Sequence, residues 1–362
     1  MSNNTNKPIF LHGLWRTGST YFWNKFKQSS TDLRCFFEPF HHSLHKSHEE
    51  LCLDFQKASS RFDLKFVRNN YYAEYEAGAN GVEGYDWHFT TDDYHITPPS
   101  PSKPIGRYIA GLCQQARDNQ QRPLLQFNRG ILRGDWLDKE FDASSIYIIR
   151  SPQDSLNSYN RLNGTRKLNY YMSCYLGIIG RNSKLPLFKE MAEYLNVGYY
   201  ESGTFGCHLK HYAKALNRLP EQKRVEMFSF FWTLGICEAT KYADGVLDTS
   251  LALERDQCAV ALQFEYTIEH ATGEKLDLSD LNIRSYSDGA LETSATAKQI
   301  IANAVSLLNP DFDKLEQWDL SKQTQAQLYH NCGIATQHEV YDFSQRQPLE
   351  QAKKADLFKE VS

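Results

Sequence analysis

No apolar run in this 362-residue chain approaches the roughly 18 residues that a membrane-spanning helix requires. No secretory signal precedes the first predicted strand; residues 1–6 form a polar leader. The eight cysteines (Cys35, Cys52, Cys113, Cys174, Cys207, Cys237, Cys258 and Cys332) include no C-x-x-C pair, which argues against a zinc site and for reduced thiols. Charge of one sign is also scarce. A net charge of −4 supplies no basic stripe, so a nucleic-acid partner is not expected. Neither an internal repeat nor a low-complexity tract is present. These absences point to a cytoplasmic globular protein with no membrane or nucleic-acid partner.

Aromatic residues, by contrast, are abundant: 21 Tyr, 21 Phe and 6 Trp. Most belong in a core, although tyrosines also suit the walls of a polar-ligand pocket. The length allows one large α/β domain or two smaller ones.

The most informative stretch is KPIFLHGLWRTGSTYFWNKFKQ, residues 7–28. Ile9, Phe10 and Leu11 read as a buried strand, and Gly13 and Gly18 lie in the turn that follows. Residues 19–28 read as a helix, with Ser19 and Thr20 at its start and Tyr21, Phe22, Trp23 and Phe26 on its buried face. Such a strand, loop and helix start aim backbone N–H groups and the positive end of a helix dipole at one anion. The Gly13-x-x-x-x-Gly18 spacing matches a nucleoside-triphosphate loop, but Ser19 stands at the lysine position. A kinase needs that lysine on the β- and γ-phosphates. The only cation in this loop is Arg16, which suits a smaller, diphosphate-like group. The plainer reading is an ordinary strand–turn–helix.

A second motif is SIYIIRSPQDSLNSYNRL, residues 145–162. Ile146 to Ile149 form a β-rich run. Arg150 ends it, and Pro152 suits the first position of a helix that presents Ser155, Ser158 and Tyr159. Arginine binds phosphate through two parallel hydrogen bonds. Ser158 lies two turns along a helix whose N-terminus faces the same anion.

The run R-T-G-S-T after F-L-H-G resembles the 5′-phosphosulfate loop of sulfotransferases that use 3′-phosphoadenosine-5′-phosphosulfate (PAPS). The second motif resembles the same family's 3′-phosphate segment, with Arg150 and Ser158 on its two ligand positions; Ser151 departs from the usual acid there. The resemblance implies an α/β fold with a P-loop-like, mainly parallel central sheet flanked by helices, carrying helical and irregular insertions. It implies PAPS as donor, the bisphosphate PAP as product and no metal. Donor contacts would come from Arg16, Thr17, Gly18, Ser19, Thr20, Arg150 and Ser158. In several subfamilies an acid at about this distance beyond the loop arginine is the base for the acceptor hydroxyl, and Glu38, 22 residues past Arg16, matches it. Histidine is the base in other branches, which makes His41 the substitute. Golgi members carry an N-terminal anchor that this chain lacks, so a soluble, cytoplasmic, bacterial-type member is expected.

The surrounding residues extend this reading. Residues 33–37 read as a strand that delivers Glu38, followed by His41, His42 and His45. Phe36, Phe37 and Phe40 could shield the Glu38 carboxyl and raise its pKa toward that of a general base. Alternatively, Glu38 caps a helix starting near Pro39. Residues 48–64 read as a helix, and residues 66–104 as an insertion on the acceptor side. A helix over 104–120 and a strand over 124–127 precede Arg129 and Arg133, which read either as ligands for the cofactor or an anionic acceptor, or as surface charges. Arg166, Lys167 and Arg181, with Tyr170, Tyr171 and Tyr175, read as acceptor contacts or as a solvated helix. Residues 199–206 read as a mobile loop, 228–242 as a core helix, 246–248 as a late strand and 253–271 as a helix ended by Gly273. Arg284, Ser285 and Tyr286 sit where a C-terminal loop would cover the cofactor. A helix over 297–308 and a polar tail over 337–362 complete a single domain.

The expected reaction moves a sulfuryl group from PAPS to an acceptor hydroxyl or amine, with carbohydrate as the favoured acceptor and a tyrosine-containing peptide or a small alcohol left open. Two rival classes remain: a P-loop kinase-like phosphotransferase, and a nucleotide-binding protein without activity.

Overall fold

Five short apolar runs assemble into one parallel sheet. The computed structural model describes residues 7–51, 53, 71–100, 103–163, 169–284 and 291–332. Its strands are β1 (Ile9–Gly13), β2 (Leu33–Phe37), β5 (Arg122–Phe127), β6 (Ser144–Ile149) and β7 (Gly245–Asp248), in the spatial order β2-β5-β1-β6-β7. Every neighbouring pair is parallel. Two-residue strands β3 (Ala77–Gly78) and β4 (Gly81–Val82) form a separate hairpin.

Both faces of the sheet are covered, as a parallel sheet requires. Ile9, Leu11, Leu124, Ile146 and Ile148 point to one face. There they meet Phe22, Trp23 and Phe26 of α1 (Ser19–Ser29). Phe10, Phe36, Leu125 and Phe127 point the other way, onto α2 (Pro104–Asp118) and α3 (Gly134–Phe141). The alternation follows from the two-residue period of a strand.

Beyond β6 the chain builds a helical block from α4 (Pro152–Asn163), α5 (Tyr170–Arg181), α6 (Pro186–Leu195), α7 (Phe205–Leu216) and α8 (Glu221–Ala239). Helix α8 is buried without a break from Glu226 to Ala239, because the sheet and the other helices surround it. After β7 come α9 (Leu251–Glu254) and α10 (Gln257–Thr272); α10 joins α1 on the first face. Helices α11 (Ala295–Leu308), α12 (Phe312–Gln317) and α13 (Lys322–Cys332) close the described chain.

The expected single helix over 253–271 is in fact two. Asp256 interrupts it by accepting from the Ala259 N–H at 2.9 Å and capping α10; Gly273, at φ 78, ends α10 as expected. Phe205, expected in a mobile loop, instead opens α7, which Thr204 caps. Most of the expected 48–64 helix, Arg166, Lys167, Ser285, Tyr286 and the 337–362 tail lie outside the described residues. Among the described residues, no helix is long and apolar enough to cross a membrane.

The strand order places the site. From β1 the chain winds outward to β2 and returns to β5. It then crosses β1 to β6 and continues outward to β7. The winding reverses at β1, and at such a switch point, outside the C-terminal ends of β1, β5 and β6, doubly wound sheets form the crevice that binds ligands.

Candidate functional site

The loop leaving β1 occupies that crevice. Arg16 (φ 71) and Gly18 (φ 103) both take left-handed backbone conformations, which turn the chain sharply into α1. Glycine allows this at position 18 without strain. At position 13 the need is for space: a Cβ there would lie 2.8 Å from Thr17 Oγ1 and 3.0 Å from the Ile148 carbonyl oxygen. The Thr17 hydroxyl donates to the Leu14 carbonyl at 2.9 Å, and the Thr249 hydroxyl, beyond β7, donates to the Thr17 carbonyl at 3.3 Å. Ser19 and Thr20 are the first two residues of α1. Among the described residues, no acceptor receives the backbone N–H groups of residues 16–20. A ring of orphan N–H groups at a helix start is an anion cradle.

The two separated motifs meet here. Arg16 Nε donates to Ser158 Oγ at 2.9 Å across 142 residues of sequence. Arg150, at the end of β6, is fixed through its carbonyl, which accepts from Trp232 Nε1 of α8 at 2.9 Å. Its Nη2 donates to the Arg284 carbonyl at 2.7 Å, which brings the start of the expected C-terminal covering loop to this arginine. The Ser151 N–H donates to Ser250 Oγ at 2.7 Å, tying the start of α4 to the end of β7.

Glu38 follows β2 at φ 47, its N–H donating to the Gln126 carbonyl at 2.9 Å. Phe36 and Phe40 pack on one face of the sheet and Phe37 on the other, so the three rings do not form one shield. Polar groups surround the carboxylate instead. Asn128 Nδ2 donates to Oε1 at 2.5 Å, and Arg129 Nη1 forms a buried ion pair with Oε2. Asn128 Oδ1 in turn accepts from Ser19 Oγ and Gln126 Nε2, each at 2.9 Å. Glu38 is therefore one side chain removed from the anion loop.

The remaining expected ligands divide by partner. Arg129 is buried, stacked over Trp15 at 4.8 Å and hydrogen-bonded to the Tyr170 hydroxyl at 2.8 Å, so it is no surface charge. Arg133 is fully buried and donates to the carbonyls of Phe89, Asp92 and Asp93; burial lowers its pKa to about 10. It fastens the 87–93 segment. Arg181 pairs with Asp92 and donates to the Tyr200 carbonyl at 3.0 Å. Tyr171 stacks on Tyr159, and Tyr175 is buried against Trp15 and Phe231, so these two belong to the core.

The histidines are engaged as well. His41 Nδ1 accepts from the Ser43 N–H at 3.2 Å and caps the short 3-10 turn His42–His45. The His42 ring stacks on Phe205 at 4.2 Å, and its Nδ1 lies 3.0 Å from the Tyr170 hydroxyl. Burial, reinforced by the neighbouring charges of His41, Lys46 and His45, holds the His42 pKa well below its ordinary value. Burial also pushes the Tyr170 pKa well up, so its phenol keeps its proton.

Three members of this network escaped sequence reasoning: Gln126, Asn128 and Trp15. The only signal was position, since N-R-G follows a strand that ends in the crevice. Comparison with family models, with curated proteins and with solved structures finds no match to this chain.

Proposed function

We propose that the chain transfers a sulfuryl group from PAPS to the hydroxyl of an acceptor, with carbohydrate favoured, by in-line displacement. The observation that carries this reading is the Arg16 Nε to Ser158 Oγ contact at 2.9 Å. Two phosphate-type motifs, distant in sequence, converge at the crevice where the winding of the sheet reverses, which is also the ground for reading the sheet as P-loop-like.

The residues present fit such a donor. Orphan N–H groups over residues 16–20 and the N-terminus of α1 suit the 5′-phosphosulfate, and the tight space at Gly13 keeps the backbone close to it. Arg150 and Ser158 suit the 3′-phosphate. The donor supplies an activated sulfuryl group on a phosphate leaving group. Arg16 and the loop N–H groups balance negative charge as it moves onto the phosphate oxygens. Glu38 accepts the acceptor's hydroxyl proton. Each of its oxygens already takes one hydrogen bond, and a carboxylate has about four acceptor positions, so room remains. His41 is poorly suited as the base: its Nδ1 lone pair is taken by Ser43, which leaves the proton of the neutral ring on Nε2. The phosphotransferase reading is weaker, because Ser19 replaces the loop lysine and its hydroxyl donates to Asn128.

The test is incubation of the purified protein with sulfur-labelled PAPS and a panel of mono- and oligosaccharides. Label should move to at least one sugar, and Glu38→Gln should lower turnover by roughly 100-fold or more. A wild type that labels no sugar, or a Glu38→Gln variant as active as the wild type, would overturn the proposal.

A further inference from the structure

We infer that the Tyr170 hydroxyl holds His42 as its Nε2–H tautomer and that this N–H donates a hydrogen bond to an oxygen of the acceptor, leaving proton removal to Glu38. The identity of the acceptor rests on the sulfuryl-transfer reading; the tautomer does not.

Donors and acceptors alternate along one chain of side chains. Arg129 is anchored by its ion pair with Glu38 and aims Nη2 at the Tyr170 oxygen at 2.8 Å. A guanidinium only donates, so the phenol oxygen is the acceptor there and its own proton must go elsewhere. Two groups are in reach: His42 Nδ1 at 3.0 Å and the Cys174 thiol, and a thiol sulfur is the much weaker acceptor, so the proton goes to Nδ1. Donation into Nδ1 requires a lone pair on that nitrogen, so a neutral imidazole must carry its proton on Nε2. Two observations keep the ring neutral: it is packed against Phe205 and Tyr170, and the titratable neighbours on its own turn, His41, His45 and Lys46, are of like charge. Across the packing, Arg129 reaches it only through Tyr170. Among the described residues, the hydrogen bond of the His42 ring is the one at Nδ1, and none is made at Nε2.

A ring in this state cannot accept a proton at Nε2, but it can orient an acceptor oxygen. His42 would then touch the acceptor, and Tyr170 would be a positioning residue that acts through it. No proton is transferred along the Arg129–Tyr170–His42 path.

The deciding measurement is a nitrogen-15 spectrum of the full chain labelled at histidine, near neutral pH. His42, assigned by its loss in His42→Gln, should show a pyridine-type Nδ1 and a pyrrole-type Nε2. In Tyr170→Phe the two signals should move toward each other as the tautomers mix. Should His42→Gln not fold, the histidine that responds to Tyr170→Phe gives the assignment. Two pyrrole-type nitrogens in the wild type, the reverse tautomer, or a spectrum unmoved by Tyr170→Phe would each overturn the inference.

With a sugar that the wild type sulfates, His42→Ala should raise the acceptor KM about 10-fold, the worth of one hydrogen bond. His42→Gln, which keeps an N–H in nearly the same place, should recover most of that. Loss of the acidic limb of the pH–rate profile in His42→Ala would identify His42 as the titrating base and overturn the inference. If no sugar is turned over, the sulfuryl-transfer reading fails, while the spectrum still decides the tautomer.

Discussion

Arginine serves two different ends on the two sides of the crevice. On the loop side, Arg16 donates to a serine hydroxyl, and among the described residues no carboxylate pairs with it. On the opposite side, Arg129 is buried against Glu38, Arg181 is clamped to Asp92, and Arg133 is buried among four backbone carbonyls. A guanidinium with only a neutral partner keeps its charge for an incoming anion. One neutralised by a buried carboxylate holds the fold, and removing it strands the partner. The loop arginine is therefore left open to an anion, whereas the far-side arginines are committed to internal partners.

Breaking the Arg129 pair should have the largest effect. Arg129→Met leaves the Glu38 carboxylate buried without its counter-charge and should cost about 3–5 kcal/mol in chemical denaturation. A loss under about 1 kcal/mol would erase the contrast. Arg16→Met should do the reverse. Unfolding free energy should fall by no more than about 1.5 kcal/mol, the worth of its one hydrogen bond to Ser158. Affinity for a bisphosphate nucleotide should drop by roughly 10- to 100-fold as a charge-assisted contact is lost. Equal changes in stability and affinity would put Arg16 in the same class as Arg129.

Gly18→Ala sharpens the picture at the backbone. Space for a methyl exists, since the nearest atom would be Thr249 Cγ2 at 3.6 Å, but φ 103 disfavours any side chain. The expected cost is about 1 kcal/mol, seen as a lower thermal midpoint.

The smallest effect lies away from both sides. Glu238 on α8 is almost fully buried beside Lys241, and desolvation lifts its pKa to about 7 from an ordinary 4.5. The native state therefore holds this proton over a range where the unfolded chain has lost it. The stability it contributes is complete below pH 4.5 and is lost as the pH rises through 7. Glu238→Gln should flatten that part of the stability–pH curve; an unchanged slope would show that Glu238 is not its source.

The two sides also differ in how far they could be read from sequence. The loop, its helix and the β6–α4 motif are local patterns: an apolar run, glycines at set positions, a proline at a helix start. Each acts over a few residues, so each was legible. The parallel sheet followed from the same short runs. The far side depends on pairings across 40 to 91 positions, such as Arg133 with the Asp93 carbonyl and Arg129 with Glu38. No periodicity encodes them. That is why Arg133 read as a ligand or a surface charge, and why Glu38 read as shielded by phenyl rings when neighbours in sequence in fact face opposite sides of a strand. Asn128, which joins the loop to Glu38, was visible only as the end of β5.

The most direct test of the central claim is a calorimetric titration of the full chain with PAP, set beside ATP with Mg²⁺. Micromolar or tighter binding of the bisphosphate is expected, weakened by roughly 10- to 100-fold in Arg150→Ala, with weaker binding of ATP. Binding of ATP with Mg²⁺ but not of the bisphosphate would contradict it and return the loop to a phosphotransferase reading.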